Sequence, residues 1–153
     1  MAQYGNNKRR LKGLTAEERE NLKWLSYACR ALYNTSLGFV RAEIDQNGLP
    51  AYSATHRAVI RTTEEYRRLG EAYESVSDLA RVNCVVSIRT KRPLPAEKDA
   101  MMTVVLNWPE TDGGRVCVPA TEGTPEMWLP LPELAKGRRI TAVQICPFQN
   151  GDI

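Results

Sequence analysis

Arg30, Asn34 and Arg41 stand four and seven residues apart, with Tyr27 and Tyr33 beside them. On a helix those steps return to one face. Arginine and asparagine read base edges through paired hydrogen bonds, and tyrosine offers a ring on which a base can stack. The bland alternative packs both tyrosines in a core and bonds Asn34 to a neighbouring backbone. His56, followed by Arg57 and Arg61, is either a phosphate or base-edge contact or a plain surface or capping histidine. Fifteen of the 21 cations are arginine, whose planar fork suits phosphate. They gather with lysines as Lys8, Arg9, Arg10 and Lys12, then Arg89, Lys91 and Arg92, then Lys136, Arg138 and Arg139. Each cluster also has the look of a solvated edge or loop end.

Catalysis finds less support. The chain holds no G-x-S-x-G, P-loop, H-E-x-x-H or dinucleotide fingerprint. Glu17, Glu18 and Glu20, and again Glu64 and Glu65, fall in first helical turns, where compensation of the helix dipole accounts for them. Four scattered cysteines and one histidine argue against a zinc site. The expectation is a non-enzyme with no metal and no cofactor. A net charge of +3 is too small to argue for nucleic acid by itself. The amino terminus lacks an apolar signal core, and no stretch approaches the roughly 18 apolar residues of a membrane span. This points to a soluble cytoplasmic protein, with Cys29 and Cys84 acting as buried small hydrophobes.

These residues must be positioned by the fold, and one segment dominates it. Leu14 to Ile44 reads as a single long helix, with Thr15 and Glu18 forming a capping box and Leu22, Leu25, Cys29, Leu32, Ser36, Val40 and Ile44 on a buried stripe. A flanking stripe of Trp24, Ala28, Ala31, Thr35 and Phe39 predicts neighbours on two sides. Asn47-Gly48 ends it, with Pro50 beyond. Ser53 to Gly70 reads as two short helices meeting near Thr62 and Thr63, with Ser53 as a cap and Ala58, Val59, Tyr66 and Leu69 inward. Ser75 and Asp78 predict another capping box, on a helix to Arg89 whose apolar face is Val76, Leu79, Val82, Cys84 or Val85, and Val86. A strand over Asn83 to Ile88 remains the rival. Residues 91–99 are a linker. A short strand ending at Arg10 to Gly13, and strands over Met102 to Trp108, Arg115 to Pro119, Met127 to Leu131 and Arg138 to Pro147, complete the chain. The fold class is α+β, a small antiparallel β-barrel carrying an inserted helical bundle. Its expected boundaries are 1–13 with 100–153 for the barrel and 14–99 for the insertion.

The run LKGLTAEERENLKWLSYACRALYNTSLGFVRAEI, with Arg30-x-x-Tyr33-Asn34-x-x-Leu37, resembles the amino-terminal part of transposon-encoded TnpB proteins and the compact type V CRISPR effectors. The segment VLNWPETDGGRVCVPATEGTPEMWLPLPELAKGRRITAVQICP is similar to the wedge barrel of that family. The resemblance implies a recognition lobe inserted in a wedge, the two gripping guide RNA and target-flanking DNA. Family members continue into a RuvC-type nuclease; this sequence stops where that domain would start. The expectation is therefore a recognition half that works beside a separate nuclease chain, or a standalone derivative. The rival is a protein-binding regulator that mimics this half to occupy a related effector, a reading to which Trp108, Trp128 and Pro130 contribute. Self-association stays open.

Overall fold

The computed structural model describes residues 11–131 and 140–146. The first helix, α1, spans Ala16–Asn47, 32 residues and about 48 Å at 1.5 Å per residue. Its start is fixed reciprocally. Thr15 Oγ1 accepts from the Glu18 N–H at 3.1 Å, and Glu18 Oε1 accepts from the Thr15 N–H at 2.9 Å. Gly48 ends it in the left-handed region, donating its N–H to the Ile44 carbonyl. The expected stripe is buried from Leu22 to Val40 with Ile44 half-buried, and Ser26, Tyr33 and Leu37 widen the buried arc.

Three shorter helices surround it: α2 (Ser53–Ile60), α3 (Glu64–Leu69) and α4 (Ser75–Arg89), with a single 3-10 turn at Glu71–Tyr73 before α4. The strand reading of Asn83 to Ile88 gives way to helix. Two caps differ from expectation: Ser53 and Ser75 are the first residues of their helices, and neither helix has a side-chain cap bond. Two faces differ as well. In α2 the buried pair is His56 and Ile60, one turn apart, while Ala58 and Val59 are exposed. In α4 the buried residues are Val76, Ser77, Ala80 and Cys84, leaving Leu79, Val82 and Val86 at 38%, 48% and 48% exposure.

Ion pairs Arg57 to Asp78 and Arg61 to Glu74, with Arg81 Nε donating to the Ala51 carbonyl, tie α2 to α4. Their reversed order means the two helices run antiparallel. Arg67 of α3 reaches both Glu64 and Glu122, and Tyr73 Oη donates to the Pro119 carbonyl at 2.7 Å, joining helices to strands.

Five strands form two small antiparallel sheets. Strand β1 (Val104–Asn107) pairs with β5 (Ala142–Ile145), and β2 (Thr111–Asp112), β3 (Arg115–Val118) and β4 (Met127–Pro130) follow in order. Gly113 and Gly114 turn β2 into β3 with positive φ, as glycine permits. Val104, Leu106, Val116, Val118, Met127, Leu129 and Ile145 join the residues of α1 in one apolar core. Fully burying each such side chain stabilises by about 1.5–3 kcal/mol. The architecture is mixed α+β. No helix among the described residues is long and apolar enough to cross a membrane.

Candidate nucleic-acid interface

The candidate residues fall into four groups. Lys8, Arg9 and Arg10, and Lys136, Arg138 and Arg139 with the start of the last expected strand, lie outside the described residues; of the strand expected to end at Arg10 to Gly13, residues 11–13 are described and carry no strand.

The second group sits on α1 and is engaged within the chain. Residues 91–103 leave α4 and run back along α1 as an extended strap before entering β1. Arg41 Nη1 donates to the Pro95 carbonyl at 3.2 Å, Arg30 Nη1 to the Asp99 carbonyl at 3.1 Å, and buried Ser26 Oγ to the Met102 carbonyl. Asn34 sits between, bonded to both backbone groups of Lys98. Carbonyls of an extended segment have no ladder partner, so polar side chains one or two helical turns apart on α1 satisfy them. Tyr33 is buried, receives a hydrogen bond from Asn83 Nδ2, and lies under the Lys98 ammonium at 5.2 Å. The bland reading of Tyr33 and Asn34 is therefore the observed geometry. Arg30, Asn34 and Arg41 come together as a clamp on the strap.

The third group lines α2. His56 is fully buried, neither a surface nor a capping residue. Its Nε2 lies 3.1 Å from the Ser77 carbonyl, its ring is 5.9 Å from that of Phe39, and Nδ1 has no hydrogen-bond partner among the described residues. Burial holds its pKa below the ordinary value, with the Ser77 carbonyl and Asp78 pulling the other way. Arg57 and Arg61 do not gather around it; Arg57 forks onto Asp78 of α4 at 2.9–3.1 Å and Arg61 onto Glu74, the residue before α4, at 2.7–3.1 Å.

The fourth group remains open to a partner. Arg89, Lys91 and Arg92, at the end of α4 and the start of the strap, are exposed and have no carboxylate partner among the described residues; Lys12 shares this state. The backbone holds the triad rigidly. Arg92 N–H donates to the Ser87 carbonyl at 2.8 Å and Lys91 N–H to the Ile88 carbonyl at 3.2 Å, the two bonds of a Schellman close. This places Lys91 in the left-handed region at φ 56°, a position usually held by glycine. The carbonyl end of the helix dipole favours cations there.

One feature of α1 escaped the sequence reading. Glu20, Asn21, Lys23, Trp24, Tyr27 and Gly123 line an open cleft of about 440 Å³. Arg30 lays its guanidinium 5.2 Å from the centroid of the Tyr27 ring. The signal was present as the spacing of three between Trp24, Tyr27 and Arg30, but Gly123, which packs against the Trp24 indole, comes from far along the chain.

Buried cysteines add no reactive group. Burial pushes the Cys29 thiol up to about 12 and raises Cys84 and Cys117 as well. Comparison of the chain with protein-family models, with curated proteins and with solved structures finds no match.

Proposed function

We propose that the chain is a non-catalytic nucleic-acid-binding recognition module of an RNA-guided DNA-targeting system, holding guide RNA and target-flanking DNA. The observation that carries this reading is Lys91. Lys91 holds a left-handed conformation that glycine would hold without strain, and Arg89 and Arg92 flank it with no carboxylate partner among the described residues. Such a triad is suited to phosphate. In this reading the two small sheets complete a wedge-like barrel over 1–13 and 100–153, and residues 14–99 are the recognition lobe. A separate RuvC-type nuclease chain would supply cleavage, or the module would act alone in the cytoplasm. Clusters Lys8 to Lys12 and Lys136 to Arg139 would extend the phosphate contacts, while Arg30, Asn34, Arg41, Arg57 and Arg61 hold the scaffold. Base pairing of the guide would choose the sequence.

A salt series tests it. Binding to structured RNA and duplex DNA should weaken steeply with salt, and replacing Arg89, Lys91 and Arg92 together by glutamine should reduce the slope by about 2–3, from three phosphate contacts. Absence of binding at low salt rejects the proposal, as does an unchanged slope in the triple variant.

One observation favours the second reading, a protein-binding regulator that mimics a recognition half. Leu79, Val82 and Val86 form an exposed apolar stripe at spacings of three and four on α4, and Trp108 is exposed, although Trp128 is half-buried beneath Arg115. Copurification of an effector after nuclease treatment would select this reading.

A further inference from the structure

We propose that the cleft between α1 and the 121–124 turn is a subsite for one unpaired nucleobase of a single-stranded nucleic acid. The inference rests on the nucleic-acid reading above and adds a place where a base, rather than a phosphate, is held.

The walls are aromatic and fixed. Trp24 and Tyr27 lie one helical turn apart and both border the cleft. Tyr27 is 46% exposed and carries the Arg30 guanidinium on its ring, so a stack of ring and cation is already assembled. Trp24 is held by the 121–124 turn. A Cβ at Gly123 would overlap its indole ring, so the bare backbone of the turn lies directly on the indole. That turn is braced internally, with Thr121 Oγ1 accepting from the Gly123 and Thr124 N–H groups at 3.2 and 3.1 Å. A wall fixed before binding lowers the ordering cost of a ligand.

Polar groups select the class of ligand. Asn21 lines the cleft, and its amide has no hydrogen-bond partner among the described residues. An amide offers a donor and an acceptor side by side, which matches the edge of a base. Aromatic clefts also accept ammonium groups, but here Arg30 stacks on one ring and Lys23 stands at the rim, paired at 3.5 Å with Glu20. Arg30 already meets the Tyr27 ring as a cation, and the Glu20–Lys23 pair leaves the lining without net charge, which suits an uncharged base rather than an ammonium ligand. The volume falls within the roughly 300–1,000 Å³ of small-ligand sites.

Fluorescence-anisotropy titration at low salt tests the subsite with single-stranded oligouridylate, its deoxy counterpart, and an abasic oligomer of equal length and charge. Base-bearing oligomers should bind more tightly than the abasic one. Tyr27→Leu should weaken the base-bearing oligomers by about 5- to 150-fold, the range for loss of one base–aromatic stack. It should leave the abasic oligomer and the melting temperature unchanged, and Tyr27→Phe should retain wild-type binding. The RNA and DNA arms identify which strand occupies the cleft. If the wild type binds abasic and base-bearing oligomers equally, or Tyr27→Leu binds as the wild type does, the subsite is overturned while the recognition reading stands. If no oligomer, structured RNA or duplex DNA binds at low salt, both are overturned.

Discussion

The Asn34 side chain holds both backbone groups of Lys98. Its Nδ2 donates to the Lys98 carbonyl at 2.8 Å and its Oδ1 accepts from the Lys98 N–H at 2.8 Å, across a sequence separation of 64 residues. An amide side chain is the one polar group that can stand in for a peptide unit in this way. Through it the strap is pinned to the middle of α1, and with it the entry into β1. Asn34→Ala removes both bonds. At about 0.5–1.5 kcal/mol for each neutral bond, the expected loss is about 1–3 kcal/mol. For a chain of this length that lowers the melting temperature by about 2–4 °C per kcal/mol. Calorimetry reads the loss, and amide exchange at Lys98 should accelerate more than exchange in the core of α1. Unchanged exchange at Lys98 would mean the strap is held by Ser26, Arg30 and Arg41 without Asn34.

That contact also explains what the sequence could and could not disclose. Helix α1 was legible because its signals are local: a capping box over four residues, a glycine stop, and a buried stripe repeated through about six turns from Leu22 to Ile44. The strap was not, because its acceptors are the backbone carbonyls of Pro95, Lys98, Asp99 and Met102, and nothing in the side chains there marks them. The face of α2 was misread for a different reason. With only two turns, Ala58 and Val59 fit an inward arc as well as His56 and Ile60, and the choice is made by packing against α4 and Phe39. In α4 the apolar residues spread over most of the circumference, so periodicity names several faces and tertiary contacts select one. The adjacent arginines drew His56 toward a surface role, yet the carboxylates that claim Arg57 and Arg61 lie on α4 and just before it.

Gly123→Ala should separate the turn from α1. The glycine has an ordinary backbone conformation, so the conflict is purely steric, between the new methyl and the Trp24 indole. Overpacking against a rigid ring costs about 1–3 kcal/mol. Trp24→Leu should recover much of that loss in the double variant, because it removes the obstructing ring; a simple sum of the two single effects would show that the two residues do not touch.

His56 should make stability depend on pH near neutrality. It is buried neutral, with Arg57 beside it on its own helix and Asp78, Arg81 and the Ser77 carbonyl facing it from α4; Phe39 of α1 contributes only its ring. Its folded pKa lies below the reference value of 6.5, so the unfolded chain takes up a proton first. Stability is then full above that value and declines as pH falls below it. Exposed Glu64, whose pKa is lowered by Arg67, acts below its own reference value of 4.5, outside this window. Denaturant midpoints between pH 7.5 and 5.5, values chosen to bracket the reference range of histidine, should fall for the wild type and stay flat for His56→Leu. A wild-type midpoint constant over that interval would show that the ring protonates without cost.

Lys91→Gly separates stability from function at the residue on which the functional reading rests. The Schellman close of α4 requires a left-handed residue at this position, and Lys91 occupies it at φ 56°. For a residue with a Cβ that conformation costs roughly 1–2 kcal/mol relative to the right-handed region, a penalty glycine escapes, although glycine gives back part of the gain through its freer unfolded chain. The two backbone bonds that define the close need no side chain and persist in the variant. The expected result is a melting temperature equal to or above that of the wild type. Exposed lysine makes no ion pair there among the described residues, so no other stabilising contact is lost. If the lysine is kept for phosphate, the same variant should bind structured RNA more weakly and with a salt slope reduced by about 0.7–0.9, the share of one contact. Lys91→Asn, which tolerates the left-handed region but carries no charge, should match the glycine variant in binding. A more stable variant with undiminished RNA binding would leave the strained lysine without a role in the proposed interface.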